Sequence, residues 1–271
     1  MFIGSRRALR KPVVISSGTS AEAQQYLDRA TGMDTAHNNA AIALIDGLVA
    51  DGLWSKLDAI YTLATDTKAH AKENLRSSSY TLGEVDTVAF TVDEGCVSSG
   101  TSYFTTGFIP SSAGGQFSRN SASFGGYSRT DQTGNADIVM LGAQGATAYA
   151  LLSSKNAGGP VQALNDLGWL VGSVTNGQGM TIGTRTSSVD VAIYKNGNVT
   201  PNISDGASSS LGIPEFEFYV IACNVSGTAG KHNSTLQTAV VFWGSGMTAT
   251  QTSNMAGRIN TYMTALGKNV Y

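Results

Sequence analysis

The residues able to do chemistry in this chain are sparse and poorly grouped. Three histidines, His37, His70 and His232, are scattered along the sequence, the first two in helical surroundings and the third in the polar run GKHNST. No HExxH, GxSxG or P-loop pattern occurs, so zinc hydrolysis, serine acyl transfer and phosphoryl transfer have no anchor. Glu215 and Glu217, in PEFEFYV, are the one pair worth weighing. On a strand both carboxylates would share a face about 7 Å apart, a spacing compatible with two-carboxylate glycoside chemistry. A third acid on that face would strengthen the case, but Tyr219 stands in its place. The pair therefore reads as solvent-facing or salt-bridged, and no catalytic residue is assigned.

Asp131, Asp137, Asp190 and Asp205 fall in or near loops without the spacing of a calcium loop, so no metal and no cofactor is expected. Aromatic rings offer a different chemistry. Tyr127, Tyr149 and Trp169 could stack on pyranose faces, although rings in sandwiches more often serve the core. Tyr127 and Trp169 are the ligand-binding candidates. Cys96 and Cys223 are too few for a disulfide framework; two reduced thiols are the default and a single bridge is the alternative.

The elements that must position these groups are mostly strands. Charged residues make up 13% of the 271, well below the usual share, while Gly numbers 32 and 41% of residues are hydrophobic. That balance suits a turn-rich sandwich and argues against disorder. A net charge of −2 gives no reason to expect nucleic-acid binding. No window approaches the ~18 apolar residues of a membrane span, and the basic start lacks the apolar region of a secretory signal. Synthesis in the cytoplasm without export is the expectation.

Val88, Phe90 and Val92 alternate with polar or small neighbours, and Asp93-Glu94-Gly95 supplies a turn. Further strands are predicted over 101–108, 121–128, 137–141, 147–152 and 180–184. Val189 to Tyr194, then Asn196-Gly197, then a return over 198–200 is the strongest hairpin signal. FEFYVIAC (216–223) and QTAVVFW (237–243) are the most hydrophobic segments and should lie centrally. The expected fold is mainly β, an antiparallel sandwich of jelly-roll type.

Two helical regions flank these strands. Residues 34–76 read as helical, with Asp34 as N-cap, a stripe through Leu44, Ile45 and Leu48, an interruption at Gly52, and a second stripe through Trp54, Leu57, Ile60 and Tyr61. This region either covers one face or end of the sandwich or forms an oligomerisation bundle. Residues 248–266 read as a C-terminal helix opened by a Thr248/Gln251 capping box and stopped by Gly267.

The chain thus divides into residues 1–30, an N-terminal arm, and 31–271, the sandwich domain with its helices. In the arm, Phe2 and Ile3 form an apolar tip, Arg6, Arg7 and Arg10 a basic stretch, and Val13, Val14 and Ile15 a potential edge strand. Either this is a frayed terminus or it docks onto a neighbouring subunit's sheet.

The segments DGLWSKLDAIYTLAT (51–65), FTVDEG (90–95), TSYFTTGFIPSSAGGQFSRNSAS (101–123), VDVAIYKNG (189–197) and YMTALGKNVY (262–271) carry a resemblance. Together they resemble a family of tailed-bacteriophage virion proteins, minor structural or tail proteins with a laminin-G/concanavalin-like sandwich. The S-Y-x-x-T-G-F-x-P-S-x-A-G-G core (102–115) is the most specific part. Members often carry a basic and an aromatic residue where this chain has Glu94 and Cys96. The resemblance implies a virion protein made in the host bacterial cytoplasm, a fibre, decoration or collar component without enzymatic activity. It implies partners among other virion proteins and assembly as a homo-oligomer, a trimer among the options. The alternatives are a receptor module for host-surface glycan and, behind it, a glycoside hydrolase or lyase.

Overall fold

The computed structural model describes residues 18–132, 138–156 and 158–271. The arm candidates Phe2, Ile3, Arg6, Arg7, Arg10, Val13, Val14 and Ile15 lie outside the described residues. In chain order, α1 (Ala21–Arg29) and α2 (Thr35–Ala50) lead into β1 (Leu57–Thr62) and the single turn α3 (Lys68–Ala71). Strands β2 (Gly83–Val85), β3 (Ala89–Thr91), β4 (Gly95–Val97), β5 (Tyr103–Thr105) and β6 (Ala122–Ser128) follow. Next come β7 (Leu141–Gln144), β8 (Tyr149–Asn156), β9 (Gly159–Asp166), β10 (Leu170–Val171), β11 (Gly179–Arg185), β12 (Val191–Lys195) and β13 (Ile203–Asp205). The chain closes with β14 (Tyr219–Val220), β15 (Cys223–Val225), β16 (Thr228–Gly230), β17 (Thr238–Gly244) and α4 (Ala249–Ala265).

Two sheets face each other, as the alternating segments require. The first runs β13-β12-β11-β6-β17-β4-β3, with β1 also paired to β17; the second runs β10-β9-β8-β7-β14-β5-β2, with β15 alongside β7. Among the described residues, pairing is antiparallel except between β15 and β7. Between the sheets lie Phe104, Phe108, Phe124, Phe218, Val241 and Trp243, all fully buried. Phe108 and Phe218 both pack on Trp243, with ring centroids 5.5 and 5.6 Å away. The fold is the expected mainly-β sandwich, and FEFYVIAC and QTAVVFW supply interior strands of the second and first sheets.

The helices cover the outer face of the first sheet. Leu44, Ile45 and Leu48 of α2 and Met255, Ile259 and Met263 of α4 share one core with Ile60, Tyr127, Ile182, Val240 and Phe242. Of the two readings of the helical region, covering a sandwich face is the one observed. Arg258 of α4 clamps the end of α2 through Asp51, with nitrogen–oxygen distances of 2.8 and 3.0 Å. The Thr248 hydroxyl accepts from Gln251 N and Gln251 Oε1 accepts from Thr248 N, so the capping box forms as read. Gly267 takes φ +67°, which its missing Cβ makes cheap, and ends the helix.

Two boundaries need correction. Residues 57–62, read as helical within 34–76, form β1, paired with β17 in the middle of the first sheet. A strand between a helical layer and a second sheet is buried on both faces, so LDAIYT lacks alternation and its apolar spacing imitates a helix. The arm does not extend to residue 30. Ser20 caps α1, whose Ala23 and Tyr26 are buried against α2 and α4, so residues 20–30 belong to the folded body.

The Asn196-Gly197 turn has both φ values positive, 53° and 75°, as a type I′ turn demands. Its return strand begins at Ile203, later than the 198–200 expected. No disulfide joins Cys96 and Cys223, which are buried in opposite sheets.

Candidate functional site

Of the two ligand-binding candidates, Trp169 is the one at the surface. It is 42% exposed and sits in the β9–β10 turn. Asp166 builds that turn: its Oδ1 accepts from Leu167 N at 2.7 Å and from Gly168 N at 3.2 Å, reversing the chain so that Leu170 pairs with Gln162. Tyr149 lies beside Trp169 with ring centroids 6.1 Å apart, and the Lys231 ammonium lies 5.5 Å from the indole centroid. Sequence reasoning named both rings, and the structure brings them together.

Tyr127 is a correction. It is fully buried on the helix side of β6, stacks on Tyr271 at 5.7 Å, and its hydroxyl accepts from Val270 N at 2.9 Å. A ring closed over by α4 and the C-terminal segment cannot meet a sugar.

Beside Trp169 the sandwich opens into a cleft between the edges of its two sheets. Gln162, Leu164, Asp166 and Leu170 line one side, and Val191, Asp205 and Ser208 line the other. The Asn202 side-chain amide clasps Ser173 through both directions of hydrogen bonding, at 2.8 and 3.0 Å, tying the two edges together beyond the cleft.

Beneath it, Arg185 is fully buried. Its Nε donates to Leu164 O at 2.8 Å, one Nη to Ser208 O at 2.7 Å and the other to Ser208 Oγ at 3.0 Å. Ser208 Oγ in turn donates to Asp166 Oδ2 at 2.6 Å. Burial works to raise the Asp166 pKa, but the Ser208 and backbone hydrogen bonds and the Arg185 charge outweigh it and hold the carboxyl below its ordinary value. Burial also lowers the Arg185 pKa, against the pull of Asp166, Asp190 and Asp205.

Sequence reasoning missed Gln162, Asp166, Arg185 and Ser208. The segment GPVQALND carries Gly-Pro at its start and few β-branched residues, so β9 escaped notice. The available signal was Gln162 and Asn165 within an otherwise apolar run.

The other titratable candidates hold structure. Glu217 Oε2 accepts from Thr106 N and Gly107 N at 3.2 and 2.7 Å, while Glu215 Oε1 accepts from Thr147 Oγ1 at 2.9 Å. The segment carrying them lies outside the regular strands, so they do not form a paired-carboxylate face. His70 bonds Asp66 at 2.6 Å, and His37 bridges Asp34 and Asp93 at 2.8 and 2.6 Å. In the 102–115 motif, the Asp58 carboxylate accepts from Gln116 N and Phe117 N just beyond it, and a Cβ on Gly115 would collide with Asp58. That motif is a packed corner. Among the described residues no group of three acidic, histidine or cysteine side chains could hold a metal, and no helix is long and apolar enough to cross a membrane.

No protein-family model matches the chain, and no curated protein matches it. Solved structures share its fold. Domain 4 of AbnA, a GH43 extracellular arabinanase from Geobacillus stearothermophilus in complex with arabinotriose, aligns over 74% of this chain and 98% of its own, with 14% identity and a TM-score of 0.50. Trypanosoma rangeli sialidase in complex with difluorosialic acid aligns over 76% of this chain and 33% of its own, with 10% identity and a TM-score of 0.50. A point mutant of HCR/D aligns over 77% and 52%, with 10% identity and a TM-score of 0.52. This chain therefore spans about a third of the sialidase and half of the HCR/D chain, and identities this low speak to the fold alone.

Proposed function

We propose that this chain is a non-enzymatic binding module that holds saccharide at the Trp169 cleft and is displayed on a tailed-phage virion. The observation that carries the binding reading is the indole of Trp169, left 42% exposed at a cleft lined by the polar side chains of Gln162, Asp166, Asp205 and Ser208. An exposed indole offers an apolar face to sugar C–H groups, and fixed acceptors beside it can orient hydroxyls. The arabinotriose complex of AbnA domain 4 supports this reading as a case of the same sandwich architecture holding a sugar. The engagement of Glu215 and Glu217 in separate structural hydrogen bonds supports the non-enzymatic part. The virion part rests on the sequence resemblance, and the docking role falls to the N-terminal arm carrying Phe2, Ile3, Arg6, Arg7, Arg10, Val13, Val14 and Ile15, which lies outside the segments that carry the resemblance.

A saccharide array probed with the whole protein tests binding, with reducing-sugar release followed on every hit. Retention of a defined set of glycans without release is the expected result. No retained glycan, or steady release, would overturn the reading. Removing the arm through Ile15 should leave a folded protein that no longer joins particles; normal incorporation would contradict the docking role.

A further inference from the structure

Trp169 also has neighbours on the side away from the cleft. They lie on the outer face of the second sheet, on which no helix packs among the described residues. In β5, β8 and β14 the residues Phe104, Ala150 and Val220 point between the sheets. Side chains alternate along a strand, so Tyr103, Tyr149 and Tyr219 all point outward.

Contacts between side chains join these groups into a row. Tyr149 lies beside Trp169, with 6.1 Å between ring centroids, and the Lys231 ammonium lies 5.5 Å from the same indole. The next residue, His232, has its ring 5.9 Å from that of Tyr103, which stacks 4.5 Å from Tyr219. Tyr219 is 7% exposed and forms a floor, while Tyr103, Tyr149 and His232 each keep part of their surface open to solvent. Lys231 holds a left-handed φ of 53°, which costs a residue with a side chain, and its carbonyl accepts from Val139 N at 3.1 Å. That bend lets two successive side chains serve opposite ends of the row.

The strand order β8-β7-β14-β5 sets Tyr149 and Tyr103 three strand spacings apart, or about 14 Å. A single sugar ring cannot touch both, whereas a run of linked sugars can. From this we infer that the protein takes a linear glycan of several units laid across the strands of the second sheet. Trp169 and Tyr149 are its first station, and Tyr103 and His232 its second. The inference rests on the saccharide-binding reading and deepens it. Each station offers aromatic surface to sugar C–H groups, and a glycan already held at the first meets the second at high effective concentration.

The test is a calorimetric length series on the whole protein. The probes are linear oligosaccharides of cellulose, β-1,3-glucan, mannan and arabinan, from disaccharide to octasaccharide. The expected result is binding of at least one series, with affinity rising about tenfold or more from the disaccharide to the longer members. Tyr103→Ala and His232→Ala should each flatten that rise. Equal affinity for short and long members of a bound series would overturn the second station and leave the binding reading standing. A rise that persists undiminished in both folded variants would overturn it as well. So would binding of no probe while other glycans are retained on an array. Binding of no probe and no arrayed glycan would sink the binding reading itself. The unmodified protein carries the length comparison, so the test stands even if a variant fails to fold.

Discussion

Ser208 Oγ donates a 2.6 Å hydrogen bond to Asp166 Oδ2 while accepting one from the buried Arg185 guanidinium. That one hydroxyl links the turn presenting Trp169 to the interior of the sandwich.

Removing it should loosen the cleft in a pH-dependent way. Asp166 has a depressed pKa in the folded protein, so its contribution is present above the unfolded carboxyl value near 4 and is lost as pH falls through the folded value. Ser208→Ala should cost about 1–3 kcal/mol at pH 7. The difference from wild type should shrink at pH 3. Urea denaturation at both pH values measures this, and an equal loss at both would contradict the linkage.

Tyr127 and Trp169 should separate cleanly. Tyr127→Ala empties a fully buried site between β6 and the C-terminal segment and should cost about 3–5 kcal/mol. Trp169→Ala removes an exposed ring and should change stability by no more than about 1 kcal/mol. Denaturant midpoints of the two variants give the comparison.

His37 should make stability fall as pH rises. Its ring is 7% exposed, and burial works to lower its pKa, but the hydrogen bonds and charges of Asp93 and Asp34 win and raise it. A raised folded value means the stabilisation is complete below the unfolded value near 6.5 and disappears as pH climbs through the folded one. His37→Gln should remove that component. Denaturation of both proteins from pH 5 to 9 should therefore give curves that converge at the alkaline end.

Thr248→Ala should cost about 1 kcal/mol by removing the hydroxyl that accepts from Gln251 N, while the backbone N–H of residue 248 keeps its bond to Gln251 Oε1. Thr248→Ser should restore most of it. Equal loss in both variants would mean that the methyl group, and not the hydroxyl, matters there.

The sandwich was legible because strands with unlike faces alternate, and the C-terminal helix because its cap and stop residues are local signals. β1 was not legible, since Ile60 faces the helices while Ala59 and Tyr61 face the second sheet, leaving no polar side to reveal the period. The cleft was half legible. Trp169 is conspicuous in sequence, but Gln162, Arg185 and Ser208 come near it only because β9 and β10 of one sheet pack against β11 of the other, which no local pattern encodes. Tyr127 misled for the same reason: its burial depends on Tyr271 and Val270, far away in sequence.

The most direct measurement is the affinity of a glycan retained on the array for wild type and for Trp169→Ala, by calorimetric titration at one pH and salt concentration. The account predicts that binding falls at least tenfold in Trp169→Ala while the denaturation midpoint holds. Undiminished binding by that folded variant would contradict it.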